Sequence, residues 1–247
     1  ILSEIYVFIK NIAKTATQKL FTAFTNSNSY QYAVAAAMTL MITFYGVAFI
    51  IGVVQPSFQQ LLVRLIKMFI IVTLVSPDGW AFFNDNIVKF FQDGTDDLII
   101  GIQSIALGGV QPPAGATPFW ALDNIGKAII QPDTIIAIVG AIGAAGPYGF
   151  TMGALMIWAF GLFFKMLLSV LRTYAISYVA RAMILGVAPI FFVFLLFDRT
   201  KQLFLAWLNT LVNLALKPIL MFTFISFFLV MIETATASML NTELCWT

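Results

Sequence analysis

Apolar residues run along this chain in blocks too long, and too rarely broken by charge, for a water-soluble core. Ala33 to Val54 is uncharged over 22 residues, follows Tyr30 and Tyr32 and closes on Gln55-Pro56, the pattern of a membrane-crossing helix with an aromatic interface anchor. Phe58 to Val75 is shorter and carries Arg64 and Lys67 one turn apart; their long stems can snorkel to a membrane edge while Met68 to Val75 stays in hydrocarbon. Thr134 to Phe164 is apolar for 31 residues, but GAIGAAGPYG at 140–149 interrupts it, so a half-helix, a break at Gly146 and Pro147 and a full span are expected. Ala182 to Phe197 is a further expected crossing, with Pro189 kinking or punctuating it. Gln202 to Leu216 forms a helix with a polar seam. Pro218 then opens a last span to about Leu240, at a position where its missing N–H costs nothing. The pattern predicts about five crossings, with four or six as alternatives.

Two segments differ. In residues 1–32, Ile5, Phe8, Ile9, Ile12, Ala13, Ala16, Leu20 and Phe24 recur at helical spacing with Lys10, Lys14 and Lys19 on other faces, before TNSNS at 25–29; this predicts an interfacial amphipathic helix. Residues 76–133 hold seven aspartates against two lysines, a local net of −5, and are expected outside the membrane. There WAFFNDNIVKFF reads as an amphipathic helix ended by Gly94, Thr95 caps a second helix with Asp96 and Asp97 in its first turn, and Thr117-Pro118 opens a third. Residues 33–75 are then a first pair of spans and 134–247 a C-terminal transmembrane bundle.

Composition agrees: 61% of the 247 residues are hydrophobic, 10% are charged, and the mean hydropathy is +0.96, against about 25% charged residues in soluble domains. Strand alternation is absent, so the fold class is all-α, a polytopic helical membrane protein. The sequence has no histidine, and Cys245 is its only cysteine. That excludes an intrachain disulfide, a zinc-finger spacing, a Ser-His-Asp triad and a His proton relay. No G-x-S-x-G, H-E-x-x-H or paired carboxylates fall in a predicted span. An enzyme is not expected, nor is any cofactor or metal. The sequence opens on Ile1 with no signal-peptide pattern after it, so an N-terminus upstream is expected.

Sidedness follows the lysines and arginines. The acidic segment should lie outside, with Arg64, Lys67, Lys165, Arg172 and Arg181 inside, which puts the N-terminus outside and the C-terminus in the cytoplasm. The three lysines of the N-terminal helix, and Lys201 near an outer turn, run against this ordering.

Polar groups recur where lipid would not tolerate them. Ser169, Arg172, Thr173 and Ser177 share a stripe, and Gln202, Asn209, Asn213 and Lys217 form another, with small Ala206 in its gap. An amide left unpaired in hydrocarbon costs several kcal/mol, so the stripes must meet protein or water. Contact with another helix or another copy is the favoured reading, and pore lining the alternative. Asp198 and Arg199, with Thr200 and Lys201, read as a solvated turn rather than a gate. Trp80, Asp96, Asp97 and Trp120 are candidate contacts for extramembrane partners. The acidic segment repels phosphates, so any contact with translocated DNA would be transient, through its tryptophans.

The stretch RAMILGVAPIFFVFLLFDRTKQLFLAWLNTLVNLALKPIL resembles the TrbL-like polytopic inner-membrane subunit of type IV secretion systems, the sixth component of the VirB set. The resemblance rests on Val187-Ala188-Pro189, the polar turn Asp198 to Lys201, Trp207-Leu208 and the seamed helix, and covers some 55 residues. It implies a multi-pass bacterial inner-membrane protein with a periplasmic central loop, homo-oligomeric and in contact with other secretion subunits of the inner-membrane complex, the stalk and the pilus. It implies a channel or scaffold for protein or DNA translocation (conjugation or effector delivery) and for pilus assembly, with membrane lipids as further partners. It also implies a hydrophilic C-terminal extension, which is not seen in the seven residues after Leu240. A small-solute permease or channel is the competing reading, because glycine-broken helices supply solute sites at the bilayer midplane.

Overall fold

The computed structural model describes residues 2–52, 58–130, 132, 136, 139–140, 143 and 146–240. Among them the regular elements are α1 (Leu2–Thr25), α2 (Asn28–Ile50), α3 (Phe58–Val75), α4 (Gly79–Phe83), a π-helical turn (Asn84–Val88), α5 (Lys89–Ala106), α6 (Trp120–Ile130), α7 (Pro147–Gly186), α8 (Ala188–Phe194) and α9 (Lys201–Leu240). The all-α polytopic expectation holds. By length and composition α2, α7 and α9 can cross a bilayer among the described residues, and a fourth span results if the bent pair Leu62–Val75 and Gly79–Ala106 counts as one.

A count of four lies within the expected range, but the helix boundaries among the described residues differ from those expected. Ala182 to Phe197 is not one helix: α7 ends at Gly186, Val187 caps the short α8, and Pro189 lies in its first turn. Pro218 does not open a helix either, because α9 runs through it for 40 residues. Nor does Gly94 end a helix or Thr95 cap one; α5 passes through both, with Thr95 buried. The predicted break at Gly146 is present, with the glycine at φ +59 and α7 starting at Pro147. The half-helix expected before it lies mostly outside the described residues.

The chain folds as two compact units. In the first, residues 10–94 and 178–216, Phe21, Phe83, Phe192, Leu185, Trp207 and Leu211 belong to one buried cluster. Phe21 stacks on Phe83 at 4.6 Å, and Trp80 packs against Phe21 at 5.3 Å. Two glycines permit the close approaches. A Cβ on Gly79 would lie 2.6 Å from the backbone oxygens of Thr73 and Leu74, so only glycine fits the corner where the chain turns by 105°. A Cβ on Gly186 would lie 2.9 Å from Leu20 Cβ, at the point where Thr17 Oγ1 donates to Ala182 O at 3.0 Å.

Polar side chains in this unit end on backbone carbonyls. The Tyr30 hydroxyl donates to Pro189 O at 2.6 Å, and Trp207 Nε1 to Ile184 O at 3.1 Å. Gln31 Nε2 donates to Thr25 O at 2.7 Å and to Val75 O at 2.9 Å, the last residues of α1 and α3. Arg181, fully buried, donates to Phe91 O at 2.6 Å, while Lys10 pairs with Asp93 at 2.8 Å. Arg181 is thus in contact with the acidic segment. The lysine-bearing helix α1 finds its counter-charge in that same segment.

The second unit comprises residues 1–9, 95–177 and 217–247. Tyr6, Phe119, Tyr174 and Phe222 form an aromatic box with centroids 5.2–6.2 Å apart. Asp96, 4% exposed, accepts the hydroxyls of Tyr6 and Tyr174 on its two different oxygens. A buried carboxylate is tolerable only when its lone pairs are met in this way. Asp123 of α6 accepts the Ser3 hydroxyl at 2.6 Å and the N–H groups of Ser3 and Leu2. Burial pushes the Asp123 carboxyl up, but those three donors outweigh it and hold it below the ordinary carboxylate range. The contact is thus held above that range and released as the pH falls through the lowered value.

Two outcomes are expected from thermal unfolding in mild detergent. Gly79→Ala drives a methyl into two carbonyl oxygens and destabilises by about 1–3 kcal/mol or more. Asp96→Ala strands two buried hydroxyls at about 1–3 kcal/mol each, whereas Asp96→Asn costs less because its amide oxygen still accepts one; equal losses for the two variants would remove the hydrogen-bonding role.

Candidate interaction surface

The polar seam of α9 lies on one face. Trp207, Leu211, Ala215, Pro218 and Phe222 follow one another at intervals of three and four and are buried, so at about 100° per residue they share one side of the helix. Gln202, Asn209, Asn213 and Lys217 fall on the other side and are all exposed. Among the described residues none of the four has a side-chain hydrogen bond or ion pair. Thr210, beside them, is satisfied locally by Ala206 O at 2.8 Å. The seam is thus unmet among the described residues, on a helix apolar enough to cross a bilayer.

The stripe on α7 divides. Ser169, Arg172 and Thr173 are exposed, Thr173 back-bonding to Ser169 O at 2.9 Å, while Ser177 is buried. The inward face of this helix is instead Val170, Tyr174, Ser177, Tyr178, Arg181, Ala182 and Leu185, all buried at helical spacing. Sequence reasoning passed over Tyr174 and Tyr178 as site residues, and read Arg181, with Arg172, as a contact for lipid headgroups or a partner's acidic residues. Their signal was available: large polar-tipped side chains at i, i+4 and i+7 on one face, which need buried partners.

Of the extramembrane candidates, Asp97 alone is well exposed. Asp96 and Trp120 are buried and Trp80 is half-buried against Phe21 and Phe83. Asp96 and Trp120 are therefore corrected from partner contacts to core, because the aspartate is drawn inward by the two tyrosines. Asp198 and Arg199 are exposed in the turn after α8, as a solvated turn requires, and Thr200 Oγ1 closes it on Phe194 O at 2.7 Å. Asp198 lines one cavity with Tyr45, Arg64 and Lys67.

The apolar faces are open. Tyr148, Phe150, Ile157, Trp158 and Phe164 on the first half of α7, and Phe44, Phe49 and Ile50 on α2, are exposed. Faces this apolar are stable in hydrocarbon and not in water. The molecule is a membrane protein with a polar face on α9 that no described residue covers.

Comparison with known proteins fits this geometry. A Rickettsia conorii protein described as an uncharacterized lipoprotein is 30% identical over 229 residues, covering 92% of this chain and 19% of its own length. A second R. conorii protein and one from Rickettsia prowazekii, both described as uncharacterized, are each 23% identical over 244 residues, covering 94% of this chain and 25% and 26% of their own lengths. The chain thus spans about a fifth to a quarter of the curated relatives it matches. No solved structure matches. Residues 38–245 match the family described as TrbL/VirB6 plasmid conjugal transfer protein, and the chain belongs to that family.

Proposed function

We propose that this chain is the membrane-embedded portion of an inner-membrane subunit of a bacterial type IV secretion system, a structural and non-catalytic component for conjugation or effector delivery. The observation that carries the reading is the α9 face of Gln202, Asn209, Asn213 and Lys217, exposed opposite a buried face. Four polar groups on a spanning helix cannot rest against lipid, so a second copy, a neighbouring subunit or a water-filled path meets them. Contact between copies is the favoured assignment, with the assembled faces supporting the translocation path and the base of the pilus. Exposed Asp97 in the acidic segment is the candidate contact for stalk and pilus components on the periplasmic side. The small-solute permease is the second reading, favoured by the break at Gly146–Pro147.

Asn209→Leu combined with Asn213→Leu should leave membrane insertion intact, weaken cross-linking between copies and lower substrate transfer by about tenfold or more, since two interhelical contacts are lost at about 0.6–2 kcal/mol each. Unchanged cross-linking and transfer would sink the assignment, and uptake of a solute by the reconstituted chain alone would replace it with the permease. Asp97→Cys in a Cys245→Ser background should react with a membrane-impermeant thiol reagent in cells whose inner membrane is intact; protection until lysis would invert the proposed sidedness.

A further inference from the structure

Between α2, α3 and the turn after α8 lies a cavity of about 480 Å³, within the range of small-ligand sites. Its polar lining is Arg64, Lys67, Asp198 and the Tyr45 ring; Phe44 and Val63 are among its apolar walls. Arg64 and Lys67 stand one helical turn apart, and the guanidinium lies 4.0 Å from the centroid of the Tyr45 ring, which holds it in place by a cation-π contact. Among the described residues neither cation pairs with Asp198 or with any other carboxylate. Two positive groups and one negative group thus face one space without neutralising one another. Phe44 and Val63 are themselves exposed, so the cavity opens onto surface that suits acyl chains.

We propose that this cavity is a binding site for a membrane phospholipid whose headgroup carries both a phosphate and a primary ammonium, as phosphatidylethanolamine does. The phosphate is held by Arg64 and Lys67, the bidentate guanidinium giving direction and the ammonium of Lys67 a point charge. The lipid's ammonium donates to Asp198. Its chains run over Phe44 and Val63. Charge complementarity selects this occupant: a purely anionic headgroup would leave Asp198 facing like charge, and a trimethylated amine has no N–H to give the carboxylate. The headgroup fixes the depth of α2 and α3 against the turn at Asp198.

The test is native mass spectrometry of the delipidated chain in mild detergent, titrated with phosphatidylethanolamine, phosphatidylcholine and phosphatidylglycerol of equal chain length, and separately with free phosphoethanolamine and inorganic phosphate. Phosphatidylethanolamine should bind about tenfold more tightly than either other lipid. Asp198→Asn should abolish its preference over phosphatidylcholine while leaving phosphatidylglycerol binding equal or tighter. Arg64→Gln with Lys67→Gln should weaken all three lipids. Equal binding of the three lipids by the unaltered chain would overturn the proposal whatever the variants do, as would preference for phosphatidylglycerol. Free phosphoethanolamine binding as tightly as the lipid would move the site from a membrane ligand to a soluble one and overturn it equally.

Discussion

The carbonyl groups at helix ends are the constraint on which much of this molecule depends. Every helix leaves its last turn of C=O groups without intrahelical donors, and within a bilayer no water is at hand to meet them. In the first unit Gln31 and Trp207 donate to such last-turn carbonyls, at Thr25, Val75 and Ile184. Thr17, Tyr30 and Arg181 donate to backbone oxygens elsewhere in a neighbouring helix. The first kind of bond removes the desolvation cost of an orphan acceptor, and both kinds fix which segments lie against one another.

The elements were legible where apolar periodicity alone decided them. The span at α2, the break at Gly146 and the all-α class follow from composition and spacing. Misreadings came where local signals were overridden by packing. Gly94 and Thr95 read as a stop and a cap, yet the continuous helix buries Thr95 and brings Asp96 to Tyr6 and Tyr174. Pro218 read as a start, yet it lies on the buried face of α9 and the helix continues past it. The partners of Asp96 and Arg181 lie some 80 to 90 residues away in sequence, so no window along the chain shows them. The α9 seam was visible as a stripe; that no described residue covers it was not.

Burial and exposure assign different work to the two kinds of polar group. Of those turned inward, Asp96 is met by hydroxyls and Arg181 donates to Phe91 O. Those turned outward on α9 have no side-chain partner among the described residues, which is what the proposed assembly contact rests on. The cavity at Arg64, Lys67 and Asp198 is a third kind, mixed in sign. The fold and the two proposed contacts thus draw on separate sets of residues.

Gln31 has one further implication. Its amide nitrogen carries two hydrogens, and each serves a different helix: one the end of α1, the other the end of α3. Neither terminus can fray while keeping the side chain in place for the other, because rotating the amide away from one carbonyl withdraws it from both. The two helix ends are therefore a single cooperative unit, and their backbone amides should exchange with solvent hydrogen together although 50 residues of chain separate Thr25 from Val75.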